Sequence, residues 1–305
     1  MTIFADLRPR NCPVCGADAT HAPLFLAQSI NPAKLSGFSF ASRKTPEYMS
    51  YRLVRCPTCS TVYAVAAPPA EALATAYAEA DYDSTEEAIL AADTYMAGLA
   101  DVIGPLPRGG RALEIGTGTG ILLERLLDSG FAEVVGIEPS TAAMDGASAR
   151  VRPFIQEGIF RGADFPPASF DLICCFQTLE HVPDPREMAA ACATLLKPGG
   201  ILALVTHDYT AALNRALGKR SPIIDIEHLQ LFCRPSLDHL LTASGLTTER
   251  IFRLKNRYPI RYWLRLTPLP AGLKRVIQRG LRAVRLDGWL IAFDVGNLLT
   301  IGRKP

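Results

Sequence analysis

A-L-E-I-G-T-G-T-G, residues 112–120, closes a short apolar stretch and opens a helical one. Gly116, Gly118 and Gly120 permit a tight turn and let a ligand come close to the backbone. Such a turn serves nucleotide-like ligands in doubly wound sheets. Three spaced glycines alone are a weak signal, and an ordinary strand–helix turn also uses them. Outward from the turn, the chain keeps the rhythm of an α/β unit. Strands are expected at 111–115, 134–137, 170–176, 201–206, 247–254 and 297–301, with a weak one at 151–155. Helices are expected at 121–129, 141–149, 185–196 and 236–244. The stretch 170–176 is almost wholly apolar, as suits a central parallel strand.

Two carboxylates flank the turn. Glu138 ends the second strand in G-I-E-P-S, where it can accept both hydroxyls of a ribose. That much suits a nicotinamide dinucleotide equally well. Glu114, just before the glycines, would repel a pyrophosphate but attract a cationic amino-acid tail. The pair therefore favours S-adenosylmethionine (SAM).

E-I-G-T-G-T-G, G-I-E-P-S, F-P-P-A-S-F-D-L-I-C-C-F-Q-T-L-E-H-V-P-D-P and L-L-K-P-G-G follow one another over roughly 110–206. Together they resemble the class I SAM-dependent methyltransferases, in the branch that methylates quinones, sugars and other small molecules. I-E-H-L-Q-L-F-C-R-P-S-L-D-H-L-L-T-A-S-G-L at 226–246 is also similar to that branch. The resemblance implies a Rossmann-like sheet with helices on both faces. It places Glu114 and Gly116 at the methionine part of SAM, and Gln177 near the same end. Glu138, followed by Pro139, would bind the ribose. Gly158, Ile159 and Phe160 would cover the adenine; the acidic residue frequent in that loop has two stand-ins here, Glu157 and Asp164. Tyr77 and Tyr82 resemble aromatic residues laid over the cofactor from a preceding helix, although helix packing alone would also explain them.

The sulfonium already activates its methyl group, so the enzyme's part is alignment of the acceptor and, for many acceptors, removal of a proton. Histidine suits the second task. His181 follows the fourth strand, His207 the fifth, and His228 sits beside Glu227 in the loop before the next helix. His181 also has a structural reading, because the family carries a Glu-His there whatever it methylates.

C-P-V-C at 12–15 and C-P-T-C at 56–59 are matched knuckles. Cys12, Cys15, Cys56 and Cys59 are spaced for a tetrahedral structural zinc ion; a redox pair is the alternative, against which two pairs argue. The interval between the knuckles exceeds that of a minimal zinc ribbon, which points to an insertion that includes S-R-K-T-P-E-Y-M at 42–49. Its expected role is to shape one wall of the substrate cleft. Cys174, Cys175, Cys192 and Cys233 read as core residues. The expected organisation is a zinc-ribbon-like module at 1–65, a helical linker and cofactor lid at 66–108, and the methyltransferase domain at 109–305.

The net charge of +2 hides an asymmetry. Residues 250–285 hold nine Arg, two Lys and no acid, a local +11 that leaves −9 for the other 269 residues. Within a basic insert at about 256–290, the helical repeat of 272–285 puts Leu273, Val276, Ile277, Gly280 and Val284 on one face, and Lys274, Arg275, Arg279, Arg282 and Arg285 on the other. Three readings stay open: a helix packed on the domain with a solvated basic face, peripheral contact with an anionic membrane, or a grip on the phosphates of an anionic substrate such as a nucleotide sugar, a lipid-linked sugar or RNA. No apolar run reaches the length of a membrane span, and the first twelve residues lack the apolar core of a secretory leader. The expected location is cytoplasmic, at most peripheral to the inner membrane face. Two rival functions remain, an RNA methyltransferase and a non-catalytic SAM-binding regulator. The N-P-P-Y type of tetrapeptide used for base N-methylation is absent, with C-F-Q-T in its place.

Overall fold

The computed structural model describes residues 4, 6–36, 39, 40, 48–82, 85–267 and 269–305, without the side chains of 85 and 86. The 42–49 stretch named above falls outside these residues up to Glu47. The N-terminal part is built from short strands, β1 (Arg8–Pro9), β2 (Leu24–Leu26), β3 (Leu53–Arg55), β4 (Val62–Ala64) and β5 (Ala66–Ala67). Two helices follow, α1 (Ala70–Ala78) and α2 (Thr85–Ile103). The α/β part then runs β6 (Arg111–Ile115), α3 (Ile121–Asp128), β7 (Glu133–Glu138), α4 (Thr141–Asp145), β8 (Ile155–Glu157), β9 (Phe170–Phe176), α5 (Pro185–Leu195) and β10 (Leu196–His207). It ends with α6 (Ala212–Leu217), β11 (Gln230–Leu231), α7 (Arg234–Ala243), β12 (Thr247–Pro259), α8 (Ile260–Leu266), α9 (Ala271–Ala283) and β13 (Leu290–Arg303).

Seven strands form the main sheet in the order β12-β13-β10-β9-β6-β7-β8. The five from β10 to β8 pair in parallel, whereas β13 is antiparallel to both β10 and β12. The sheet is therefore mixed. Its order reverses between β6 and β9, the crevice where an open α/β sheet binds its ligand. Alternation along β9 divides the core: Ile173 and Cys175 join one apolar cluster, and Leu172, Cys174 and Phe176 the other. All seven residues of β9 are buried, as suits its almost wholly apolar run, and the one acid in it, Asp171, is paired with Lys197 (2.7 Å). The four cysteines read as core residues are buried thiols.

Differences from the sequence expectations have local causes. Pro153 lies in a 3-10 turn over 152–154, so β8 begins only at Ile155. The helix begun at Thr141 stops at Asp145, capped by Gly146. The last two strands run well past their expected ends, pairing Asn256–Pro259 with Leu290–Phe293 in a long hairpin. Among the described residues no helix is long and apolar enough to cross a membrane.

The N-terminal strands do not stand apart. The sheet β2-β3-β4 is completed by β11, which comes from beyond the fifth parallel strand. Arg10 fastens this junction. It donates from Nε to the Ala64 carbonyl (2.8 Å), from Nη1 to that of Pro183 (3.0 Å), and from Nη2 to that of Leu229 (2.7 Å) and to Gln230 Oε1 (3.1 Å). Burial lowers its pKa to about 10, which still leaves it charged near neutrality. An unmade hydrogen bond at a buried carbonyl costs about 1–3 kcal/mol. Arg10→Met should accordingly lose about 2–4 kcal/mol in denaturant unfolding, with no change in the parallel strands themselves.

Candidate active site

Local backbone geometry opens the cofactor crevice. The Gly116 and Thr117 amides both donate to the Ile137 carbonyl (2.9 and 3.0 Å), so the turn after β6 lies against β7. Gly116 has φ +76°, and a Cβ there would stand 2.3 Å from Thr178 Oγ1. Only glycine lets this turn meet the one that leaves β9. A Cβ on Gly118 would meet nothing within 4 Å, so the open space lies on that side.

Glu114 is buried and accepts a 2.5 Å hydrogen bond from Thr117 Oγ1. Burial, with Glu138 nearby adding to it, pushes its pKa up to about 8. Glu138 is also buried; it accepts from the Gly118 amide (2.7 Å) and the Ser140 amide (2.9 Å), and burial raises its pKa. Thr119 Oγ1 in the glycine turn and Gln177 Nε2 just past β9 are buried without a partner among the described residues. Gln177 has φ +52°, a strained setting for a non-glycine residue and one typical of ligand sites. A ligand with a cationic amino-acid tail and a ribose fits these groups: a cation for Glu114, hydroxyls for the remaining lone pairs of Glu138, and an acceptor for Gln177. SAM has all three. Gly158 donates to the Glu138 carbonyl (3.0 Å) and faces open space, while Ile159 is exposed and Phe160 packs on the core. Pro139 is partly buried between Glu138 and Ser140. The end of α1 touches the same loop, since Thr141 Oγ1 donates to the Ala78 carbonyl (3.3 Å). Tyr82 follows α1, partly buried.

On the other side of the turn after β9 stands a row of three histidines. The His181 and His228 ring centroids are 5.0 Å apart, and those of His228 and His207 are 5.3 Å apart. All three sites named from sequence thus converge. His181 Nδ1 lies 3.1 Å from Tyr77 Oη and 3.6 Å from Glu227 Oε2. Tyr77, expected over the cofactor, therefore reaches the histidine row. His228 is buried, and its Nδ1 lies 2.8 Å from the Ile223 carbonyl. A carbonyl can only accept, so Nδ1 carries a proton, and in the neutral ring Nε2 is the acceptor. His207 Nδ1 lies 2.9 Å from Asn297 Oδ1, and burial, with His228 beside it, lowers its pKa to about 3.

Sequence reasoning missed the residues that hold this row. Glu180 accepts from the His207 amide through Oε1 (2.6 Å), and its own carbonyl receives the Leu229 amide (2.9 Å). Gln230 Nε2 donates to the Leu179 and Val182 carbonyls (2.7 and 2.8 Å). The available signal was the repeated Glu-His pair at 180–181 and 227–228.

The four N-terminal cysteine sulfurs lie within 4.8 Å of one another, Cys12 to Cys59 at 3.5 Å and Cys15 to Cys56 at 3.4 Å. One tetrahedral ion with bonds of about 2.3 Å needs sulfurs roughly 3.8 Å apart. The cluster is of a size to chelate a single metal ion. Gly16 and Ser60 occupy equivalent left-handed positions in the two knuckles, φ +77° and +64°.

Residues 89–251 match the model of a family described as "Methyltransferase domain". The ubiquinone biosynthesis O-methyltransferase of Burkholderia orbicola (strain MC0-3) is 33% identical over 181 residues, covering 50% of this chain and 76% of that protein. The enzyme of the same description from Paracidovorax citrulli is 32% identical over 178 residues, 51% of this chain and 74% of that one. Among solved structures, the YcgJ protein of Bacillus subtilis aligns at TM-score 0.47 with 20% identity, covering 69% of this chain and 98% of that chain.

Seating a cation on Glu114 favours its ionised form. Below about pH 8 that carboxyl must release a proton on binding, so affinity should rise with pH and level off above about pH 8. Calorimetry with S-adenosylhomocysteine in buffers of different ionisation heat should show a proton release that Glu114→Gln lacks, and weaker binding by about tenfold in that variant.

Proposed function

The chain belongs to the methyltransferase-domain family and is a SAM-dependent methyltransferase, and on that premise we propose that it methylates an O, N or C atom of a small molecule with His228 as the proton acceptor. The observation that carries this reading is the tautomer of His228: its Nδ1 donates to the Ile223 carbonyl, which makes Nε2 the acceptor nitrogen of the neutral ring, in the row that shares the turn after β9 with the cofactor loop. The relatives' description, an O-methyltransferase of ubiquinone biosynthesis, supports a small-molecule acceptor.

When bound, SAM supplies the methyl group on a positively charged sulfur. Glu114 would hold its ammonium group and Glu138 its ribose, and the Gly116–Thr178 contact sets the distance between the glycine turn and the turn after β9. His228 accepts the proton of the attacking atom. Glu227 and Tyr77, both at His181 Nδ1, hold that ring in place. His207, with its pKa near 3, is a poor base at neutral pH and serves as a neutral wall that positions His228. A sugar or a lipid-linked precursor is the acceptor class we favour, from the resemblance to the small-molecule branch.

On the same reading the four cysteines hold a structural zinc ion. Its effect would reach the site through β4, whose partner β11 begins two residues after His228. Metal analysis should find one zinc per chain, and Cys56→Ser should remove it and lower the unfolding midpoint.

The acceptor is tested by following label from methyl-labelled SAM into the small-molecule, lipid, RNA and protein fractions of an extract. Label is expected in the small-molecule or lipid fraction; label in RNA would overturn the reading. With the acceptor in hand, His228→Gln should lower kcat about 10²–10⁴-fold while cofactor affinity stays within twofold. His207→Gln should cost far less. A His228→Gln enzyme of normal kcat would remove histidine from the chemistry.

A further inference from the structure

We propose that the outer face of α9, together with the tip of the β12–β13 hairpin, docks on an anionic lipid surface. No residue of α9 is buried. Leu273 and Val276 are exposed, with Val284 at the C-terminal cap, so the apolar stripe of this helix points away from the domain. Trp289 is 65% exposed, and Leu290, Ile291 and Phe293 at the hairpin tip are exposed beside it. Apolar side chains gathered on one protruding element mark an interaction surface, unlike single exposed residues scattered over a protein.

The cations around this patch identify the partner. Arg253 and Arg265 are paired with acids of the domain, and Arg282 with Asp287. Lys255, Arg257, Arg275, Arg279 and Arg285 make no ion pair among the described residues. On α9, Arg275 and Arg279 lie round the helix from the apolar stripe and do not interrupt it. An interfacial helix is arranged in this way, with apolar side chains set among acyl chains, long basic side chains reaching up to headgroups, and Trp at the boundary. An RNA surface would need the guanidiniums in front and would gain little from Val276 or Val284. A second copy of this chain would bring another +11 segment against the first, a repulsive match.

The element is held firmly enough to act as an anchor. Trp263 Nε1 donates to the Tyr258 and Ile291 carbonyls (3.1 and 3.0 Å), its ring meets Phe293 edge-on, and Arg265 reaches Glu87 on α2 (2.6 Å). The hairpin leads back to the site, since Asn256 accepts from Asn297, whose Oδ1 faces His207. Lipid docking would therefore engage a hairpin that is continuous with the histidine edge of the sheet. The inference does not depend on which acceptor is methylated.

The full chain should float with phosphatidylcholine vesicles that contain phosphatidylglycerol and not with pure phosphatidylcholine, and rising salt should weaken the binding. Trp289 emission should shift to the blue on binding. The pairs Val276→Asp with Val284→Asp, and Arg275→Glu with Arg279→Glu, should each cut vesicle binding at least tenfold while unfolding and S-adenosylhomocysteine binding stay unchanged. Failure to float at low salt would overturn the proposal. So would a dimer that the Val→Asp pair splits, or retention on RNA that matches retention on anionic vesicles.

Discussion

Glu180 is the residue on which the site depends. It is fully buried in the turn that follows β9, and burial pushes its carboxyl pKa up to about 7. Its side chain holds the backbone of His207 on the neighbouring strand, and its carbonyl holds the segment that carries His228. His181 is its next neighbour in the chain. One residue thus fixes the spacing of all three histidines. Gln230 and Arg10 reinforce the same turn from the N-terminal side. Such a buried polar network is costly unless each member finds its partner, and well satisfied it leaves the chain a single arrangement. Glu180 Oε2 has no hydrogen-bond partner among the described residues, so the network keeps one buried acceptor unused.

This arrangement divides labour between the two sides of one crevice. The β6–β7 side presents buried carboxylates whose raised pKa values reflect a desolvated pocket suited to a cationic ligand. The β9–β10 side presents three imidazoles, of which burial keeps that of His207 neutral. Between them, the missing Cβ of Gly116 sets the closest approach, against Thr178. The N-terminal strands adjoin this side, since β4 pairs with β11 just beyond His228.

Much of this was legible in the residues themselves. Strands β6 and β9 have the bounds expected from their apolar runs, because a strand covered on both faces leaves a continuous signal. The glycine turn, Glu138 and the paired cysteines were legible because each rests on local spacing. The tip of the last hairpin was not, since Asn256–Pro259 and Leu290–Phe293 stay extended by pairing with each other across a helical excursion. Strand β11 was equally hidden: two residues carry no periodicity, and only a long-range partner makes them a strand. The ties from Arg10 and Glu180 belong to the same class. Their meaning lies in carbonyl groups, which every residue possesses and no sequence displays.

The most direct test is a crystal structure of the chain with S-adenosylhomocysteine. We expect its ammonium group on the Glu114 carboxylate, its ribose hydroxyls on Glu138, and its sulfur turned towards the side of the crevice that carries His181 and His228. A ligand seated away from the glycine turn, or one whose sulfur faces away from the histidines, would contradict the account.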